Sequence, residues 1–162
     1  MVTGAIKTAE TGEYASLAEL IKGLDEEGPM HALAVALTNS GGDKISFPKD
    51  YFSGRPSGPA IGDAGAIMLA AALPHLPRLT QLNLGGQEIG NEGACALAAA
   101  LHHCPALQKL DMYDNSISDE GVRALVKALQ GLRNVRKVEF NCNCISLDGL
   151  DELRSALSSM GL

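Results

Sequence analysis

This sequence lacks the runs of basic residues and the long apolar runs that several classes of protein require. Its 13 Lys and Arg residues are interspersed among 19 Asp and Glu residues, for a formal net charge of −6, whereas nucleic-acid-binding surfaces cluster their basic residues. No stretch approaches the roughly 18 uninterrupted apolar residues of a membrane-spanning helix, and residues 1–14 contain no apolar leader segment. We therefore predict a single folded domain, intracellular and by default cytoplasmic, that binds neither nucleic acid nor a membrane.

Cysteine is scarce as well: the chain has Cys95, Cys104, Cys142 and Cys144. Without a secretory context we expect free thiols rather than a disulfide framework. Cys95 lies in an alanine-rich helical stretch, where cysteine behaves as a small buried hydrophobe. Cys142 and Cys144 have no second Cys or His pair in their loop, whereas a metal site normally needs about four ligands. We predict no metal and no cofactor.

A catalytic constellation is also missing. The four histidines fall at helix ends or in loops on the helical side, and no nucleophile lies near them in the predicted geometry; they are His31, His75, His102 and His103. Asp111 and Glu139 are neighbouring carboxylates, but a wide, shallow surface does not exclude water from them. We predict that the protein is not an enzyme.

What the sequence does contain is a 28-residue repeat. Its columns are Leu79, Leu107 and Val135; Leu82, Leu110 and Val138; Leu84, Met112 and Phe140; Ile89, Ile117 and Ile145; and the glycines Gly65, Gly93, Gly121 and Gly149. Several columns that coincide at one spacing indicate repeated structural units.

Each unit has two halves with different hydrophobic periods. Residues 107–113 alternate apolar and polar side chains, which is typical of a short strand, and residues 119–129 place apolar side chains at helical spacing. Asn91 and Asp119 precede helical runs and are predicted to be their N-caps. The pattern predicts one strand and one helix in every unit.

A single unit cannot bury its apolar face, so the units are expected to stack with parallel strands on one side and helices on the other. Helices stack at about 10 Å and strands at about 4.8 Å. The stack must therefore bend, with the strands on its concave face and the helices on its convex face.

The segments 79–89, 107–117 and 135–145 follow the pattern LxxLxLxxNxI and precede a helix, which resembles the ribonuclease-inhibitor type of leucine-rich repeat. The resemblance implies an α/β solenoid, a short right-handed horseshoe segment. It also implies that the Asn column joins neighbouring repeats; Asn115 and Asn143 match, but Gln87 replaces the first and is expected to weaken the ladder there. The Asp of the helix-start motif matches at Asp63 and Asp119, whereas Asn91 and Leu147 depart, so the last helix is expected to be less well capped.

The predicted domain covers residues 1–162, with full repeats at 79–106, 107–134 and 135–162. Residues 44–78 form a repeat with a Pro/Gly-rich insertion at 48–60, which is either a contact loop or tolerated surface variation. Tyr51 and Phe52 favour a contact. Residues 1–43 are predicted to contain a helical cap around Leu17–Leu24 and a degenerate repeat.

The last predicted strand, near 135–141, exposes its edge. Either the chain is cut from a longer protein, or a partner or second subunit covers the edge. Alternatively, Arg136, Lys137 and Glu139 act as charged gatekeepers against edge pairing.

The residues between the inward-facing leucines form a polar concave face. Its predicted partner-binding residues are Lys44, Gln81, Asn83, Lys109, Asp111, Tyr113, Lys137, Glu139 and Asn141, with Ser46 completing the array. One interpretation is a solvated surface whose charges pair with one another. We favour a docking surface for a protein partner, with Tyr113 as an amphipathic anchor.

Two functional classes follow. The first, which we favour, is a noncatalytic interaction module or assembly subunit. The second is a GTPase-activating regulator, because the Ran GTPase-activating protein resembles this chain in its repeat type, although its many repeats and acidic tail are not matched here. Tropomodulin-like actin-end capping proteins and nucleotide-oligomerisation receptors share the scaffold, and no residue distinguishes them.

Overall fold

The computed structural model describes residues 28–39, 43–47 and 58–162. Helices and strands alternate along the chain in the order α1 (Gly28–Asn39), β1 (Lys44–Ser46), α2 (Gly62–Ala72), β2 (Gln81–Asn83), α3 (Asn91–Ala100), β3 (Lys109–Asp111), α4 (Asp119–Leu129), β4 (Lys137–Glu139) and α5 (Leu147–Ser159). Short 3-10 turns, Leu73–His75 and Leu101–His103, follow α2 and α3. The predicted cap helix around Leu17–Leu24 and the contact residues Tyr51 and Phe52 lie outside the described residues.

The strands form one parallel sheet in the order β1-β2-β3-β4. Leu82 lies opposite Leu110, and Leu110 lies opposite Val138, so the register of the last three strands advances by 28 residues at each step. Ile45 of β1 lies opposite Leu82, a step of 37 residues that includes the insertion. Strand order therefore follows chain order, and a helix connects each strand to the next.

One continuous core lies between the sheet and the helices. The middle residue of each of the first three strands is buried, while the residues on either side of it are exposed or half-buried, so the alternation seen in the sequence does point alternate side chains inward. The helices pack against their neighbours in chain order. The predicted α/β solenoid, with its strands on the concave face and its helices on the convex face, is confirmed.

The prediction that Asn91 and Asp119 are the N-caps of their own helices is wrong. The helices α3 and α4 begin at these two residues, and the N-cap positions belong to Gly90 and Ser118, neither of which makes a side-chain capping bond. The side chains at the helix starts act on the following repeat instead.

Capping from one repeat to the next begins at Asp63 in the first turn of α2. Its Oδ1 accepts hydrogen bonds from the backbone N–H groups of Gly90, at 2.7 Å, and Gly93, at 2.9 Å. Free N–H groups at a helix start need acceptors, and a carboxylate also suits the positive end of the helix dipole. Asp63 therefore joins α2 to the start of α3.

Asn91 repeats this contact one unit later. Its Oδ1 accepts from Ser118 N at 2.9 Å and from Gly121 N at 3.2 Å, and its Nδ2 donates to Ser118 Oγ at 2.7 Å. The contact explains why position 121 is glycine, because a Cβ there would lie only 2.8 Å from Asn91 Oδ1. Glycine at this position lets the capping side chain approach the helix backbone.

The last helix is also well capped, so the prediction of a weak cap at α5 is wrong. Ser146 is the N-cap of α5, and its Oγ accepts from Gly149 N at 3.0 Å. Asp119 in turn accepts from Ser146 N at 2.8 Å and from Ser146 Oγ at 2.6 Å. The departure at Leu147 leaves α5 capped, because Ser146 caps the helix directly and Asp119 of the preceding repeat holds Ser146 in place.

A buried Asn ladder joins the loops that follow the strands. Asn115 Oδ1 accepts from Gln87 N at 3.1 Å and Ile89 N at 2.9 Å, and its Nδ2 donates to Leu84 O at 2.8 Å and Met112 O at 3.0 Å. Asn143 is half-buried and makes a smaller set, accepting only Ile117 N.

The predicted weak position of this ladder is confirmed at Gln87. Its side chain is fully buried, and its Oε1 has no hydrogen-bond partner. Asn115 bonds to residues 87 and 89, and the positions one repeat earlier are Pro59 and Ile61. Proline has no N–H to donate. One of the two N–H groups that the side chain of Gln87 would accept is therefore missing.

Candidate functional site

The first row of the concave face runs across all four strands. Lys44, Gln81, Lys109 and Lys137 lie directly opposite one another in the register of the sheet. The side chains of Lys44 and Lys137 are exposed, and those of Gln81 and Lys109 are half-buried. The structure therefore brings together the predicted first row, with three ammonium groups on one stripe.

The second row consists of Ser46, Asn83, Asp111 and Glu139, again opposite one another. Three of these side chains bond to the backbone two residues further on, as turn-forming Asn and Asp residues often do. Asn83 accepts from Gly85 N at 3.2 Å and Asp111 from Tyr113 N at 3.1 Å. Glu139 makes the corresponding bond with Asn141 N at 3.4 Å. The second row helps to end the strands as well as to line the face.

The two rows meet in an ion pair on β3. Lys109 Nζ lies 4.0 Å from Asp111 Oδ2, with the lysine side chain 36% exposed and the aspartate side chain 14% exposed. A pair of this kind contributes at most about 1 kcal/mol. The ammonium is the more accessible partner, so the face offers cations to a ligand more readily than it offers carboxylates.

Tyr113 lies just beyond β3 on the same face and is 39% exposed. The neighbouring Cys142 thiol of the next repeat is the main cause that raises the pKa of Tyr113, followed by nearby negative charge. Asn141, from the same neighbouring loop, is exposed beside it. The Tyr113–Cys142 contact is not apparent from the local sequence. The 28-residue period does place position 142 beside position 114, the neighbour of Tyr113.

A groove of about 390 Å³ lies at the rim where the strands end, lined in part by Gly58, Gly86, Glu88 and Asp114. The backbone at Glu88 and Asp114 is left-handed, with φ of 57° and 54°. Non-glycine residues adopt this conformation uncommonly, and Asp and Asn are enriched there. The rim beside the concave face is therefore acidic and closely shaped by its turns, a feature that the sequence did not reveal.

The end of the stack beyond β4 exposes apolar side chains. Leu147 is 82% exposed, and Leu150 and Leu162 are also classed as exposed. A shallow groove of about 260 Å³ lies between Leu150, Leu157 and Leu162. These leucines form an apolar patch at this end of the described stack.

Comparison with known proteins gives one positive result. A family model described as Leucine Rich repeat matches residues 75–98 and 103–126, and no curated protein matches the chain. The matches support the prediction that the chain is a leucine-rich repeat protein. Together with four parallel strands that alternate with helices, they make the fold an α/β leucine-rich repeat solenoid. Within residues 28–39, 43–47 and 58–162, no helix has the length and apolar character needed to span a bilayer.

Proposed function

We propose that this chain is a noncatalytic interaction module, built from repeats of the ribonuclease-inhibitor type, that docks a protein partner on its concave face. The docking surface consists of Lys44, Gln81, Asn83, Lys109, Asp111, Tyr113, Lys137, Glu139 and Asn141. Tyr51 and Phe52 join it on the strength of the sequence alone. The observation that carries the proposal is the alignment of two polar rows across four strands, beside an accessible tyrosine.

The repeat type supports this proposal because leucine-rich repeats form extended concave binding surfaces. The chemistry of the face supports a partner that presents carboxylates. Lys44 and Lys137 are exposed and Lys109 is more exposed than Asp111, while Asp111 and Glu139 already accept hydrogen bonds from the backbone just beyond their strands. Tyr113 adds an amphipathic ring, a type of side chain enriched among the residues that dominate interface energies.

A quantitative capture experiment tests the proposal. Wild-type protein, Lys109→Glu and Tyr113→Ala are immobilised at equal density, and the proteins retained from a cell extract are compared by mass spectrometry. Lys127→Glu is the matched control, because Lys127 is an exposed lysine on α4, on the convex side. We expect both concave variants to lose at least about 2 kcal/mol of binding to the specific partner.

The control variant is expected to retain the same partner as the wild type. Equal retention by Lys109→Glu, Tyr113→Ala and wild type would contradict docking on this face. Thermal unfolding of each variant identifies any loss that comes from misfolding, since a folded variant keeps a transition close to that of the wild type.

A further inference from the structure

The outer edge of β4 carries unpaired backbone groups whose counterparts in the preceding repeat are hydrogen-bonded. Gln108 O accepts from Arg136 N at 2.8 Å, and Met112 N donates to Glu139 O at 2.8 Å. The groups 28 residues later are Arg136 O and Phe140 N, and neither has a partner among the described residues. An open strand edge of this kind is a template for pairing with another strand.

The sequence of this edge is complementary to itself. Lys137 and Glu139 lie on either side of Val138 and point to the same face of the sheet. If an identical strand ran antiparallel with Val138 opposite Val138, each Lys137 would face Glu139 of the other copy. The same alignment places Phe140 N of each copy opposite Arg136 O of the other. The two-fold symmetry therefore forms this hydrogen bond twice.

Other registers are unfavourable for an identical partner. A slip of two residues, which keeps the same side chains on the concave face, would place either Lys137 or Glu139 directly opposite its own copy. Like charges directly opposite each other are destabilising in a sheet. The charge pattern thus favours one register, and the occupant it fits is a second copy of this chain.

The helical layer provides a second contact on the same side. A two-fold axis through Val138, perpendicular to the sheet, brings α5 of one copy towards α5 of the other. Leu147 occupies the column of Asp63, Asn91 and Asp119, whose polar side chains cap a following helix. Leucine cannot cap, but it can pack against an apolar neighbour, and Leu150 lies one turn further on and is exposed as well.

We propose that two copies of this chain associate edge to edge through β4, centred on Val138, to form a continuous sheet of eight strands with the two α5 helices in contact. This inference deepens the proposed function at its terminal edge and rests on it. It joins the two concave faces into one longer docking surface.

Charge exchange tests the interface and its register. Sedimentation equilibrium of the wild type is expected to show a monomer–dimer equilibrium. Lys137→Glu and Glu139→Lys, each alone, place like charges opposite each other twice and are expected to weaken dimerisation by about tenfold or more. An equimolar mixture of the two variants restores both opposite-charge pairs and is expected to form a heterodimer with about wild-type affinity.

The double variant Lys137→Glu/Glu139→Lys restores the pairs within one chain and is expected to dimerise like the wild type. Lys127→Glu is the matched control, because it makes the same charge change on α4, away from the β4 strand edge, and is expected to leave dimerisation unchanged. Protection of the Phe140 amide from hydrogen exchange, increasing with protein concentration, provides a direct readout of the edge.

A wild type that stays monomeric up to its solubility limit would overturn the proposal. So would a dimer that is insensitive to the single charge changes or fails to recover in the mixture. Either result leaves partner docking open, because capture by Lys109→Glu and Tyr113→Ala measures that function separately.

Discussion

The Asn ladder allows a graded prediction, because three residues of one column differ in the bonds that they make. Asn115→Ala removes the acceptor of two buried N–H groups, those of Gln87 and Ile89. A buried donor left without a partner costs about 1–3 kcal/mol. Allowing for partial relaxation, we expect Asn115→Ala to reduce the free energy of unfolding by about 3 kcal/mol, which lowers the melting temperature by about 6–12 °C for a chain of this size.

The other two positions provide matched comparisons. Asn143 is less buried and accepts one N–H group, so Asn143→Ala is expected to cost about 1 kcal/mol. Gln87→Met keeps the approximate shape of the side chain and removes an oxygen that has no partner, together with an Nε2 whose bond to Gly85 O is long, at 3.4 Å. This change is expected to be neutral or stabilising, because it removes an uncompensated buried polar atom.

Urea unfolding followed by circular dichroism measures all three changes against the wild type. The slope of the transition is expected to stay constant while the midpoint moves in the order given. If Gln87→Met destabilised the protein as much as Asn115→Ala, the polar groups of Gln87 would contribute as much as the paired amide of Asn115, and the reasoning from the unpaired oxygen would be refuted.

Three further predictions concern packing, pH and thiol reactivity. Gly121→Ala forces a Cβ against the side-chain oxygen that caps α4 and is expected to cost about 1–3 kcal/mol in thermal unfolding; no loss would contradict the close approach. The bonds from Ser146 hold the pKa of Asp119 below its ordinary value, so they add stability above that ordinary value, and the added stability is lost as the pH falls through the lowered folded-state value. Asp119→Asn is expected to remove this part of the acid dependence of urea unfolding, and an unchanged pH profile would count against it. Burial raises the pKa of Cys104 to about 11, so a thiol reagent at neutral pH is expected to modify exposed Cys142 well before Cys104; equal rates in the native protein would be inconsistent with the buried position.

Much of the fold could be predicted from the sequence because its determinants are periodic. Leu82 and Leu110 occupy one column and are both buried at the centres of paired strands. The rows of the concave face follow from the same period, since a parallel register places Gln81 opposite Lys109. The 28-residue period and the strand alternation together predict which side chains of a strand point inward and which point outward.

The capping contacts could not be predicted, because their partners are distant in sequence. Asn91 looks like a local N-cap, but the N–H groups that it accepts belong to the next repeat, 27 and 30 residues further on. The contact between Tyr113 and Cys142 has the same character. The second role of Asp111 could not be predicted either. Besides its ion pair with Lys109, its side chain accepts a hydrogen bond from the backbone N–H of Tyr113.

The most direct measurement of the central claim is site-specific crosslinking on the two faces of the solenoid. A photoreactive phenylalanine analogue replaces Tyr113 on the concave face or, in a parallel variant, Lys127 on the convex face, and the crosslinked products in cells are identified by mass spectrometry. We predict that the analogue at position 113 crosslinks a specific protein partner and that the analogue at position 127 does not. The same partner crosslinked from position 127 and absent from position 113 would contradict docking on the concave face.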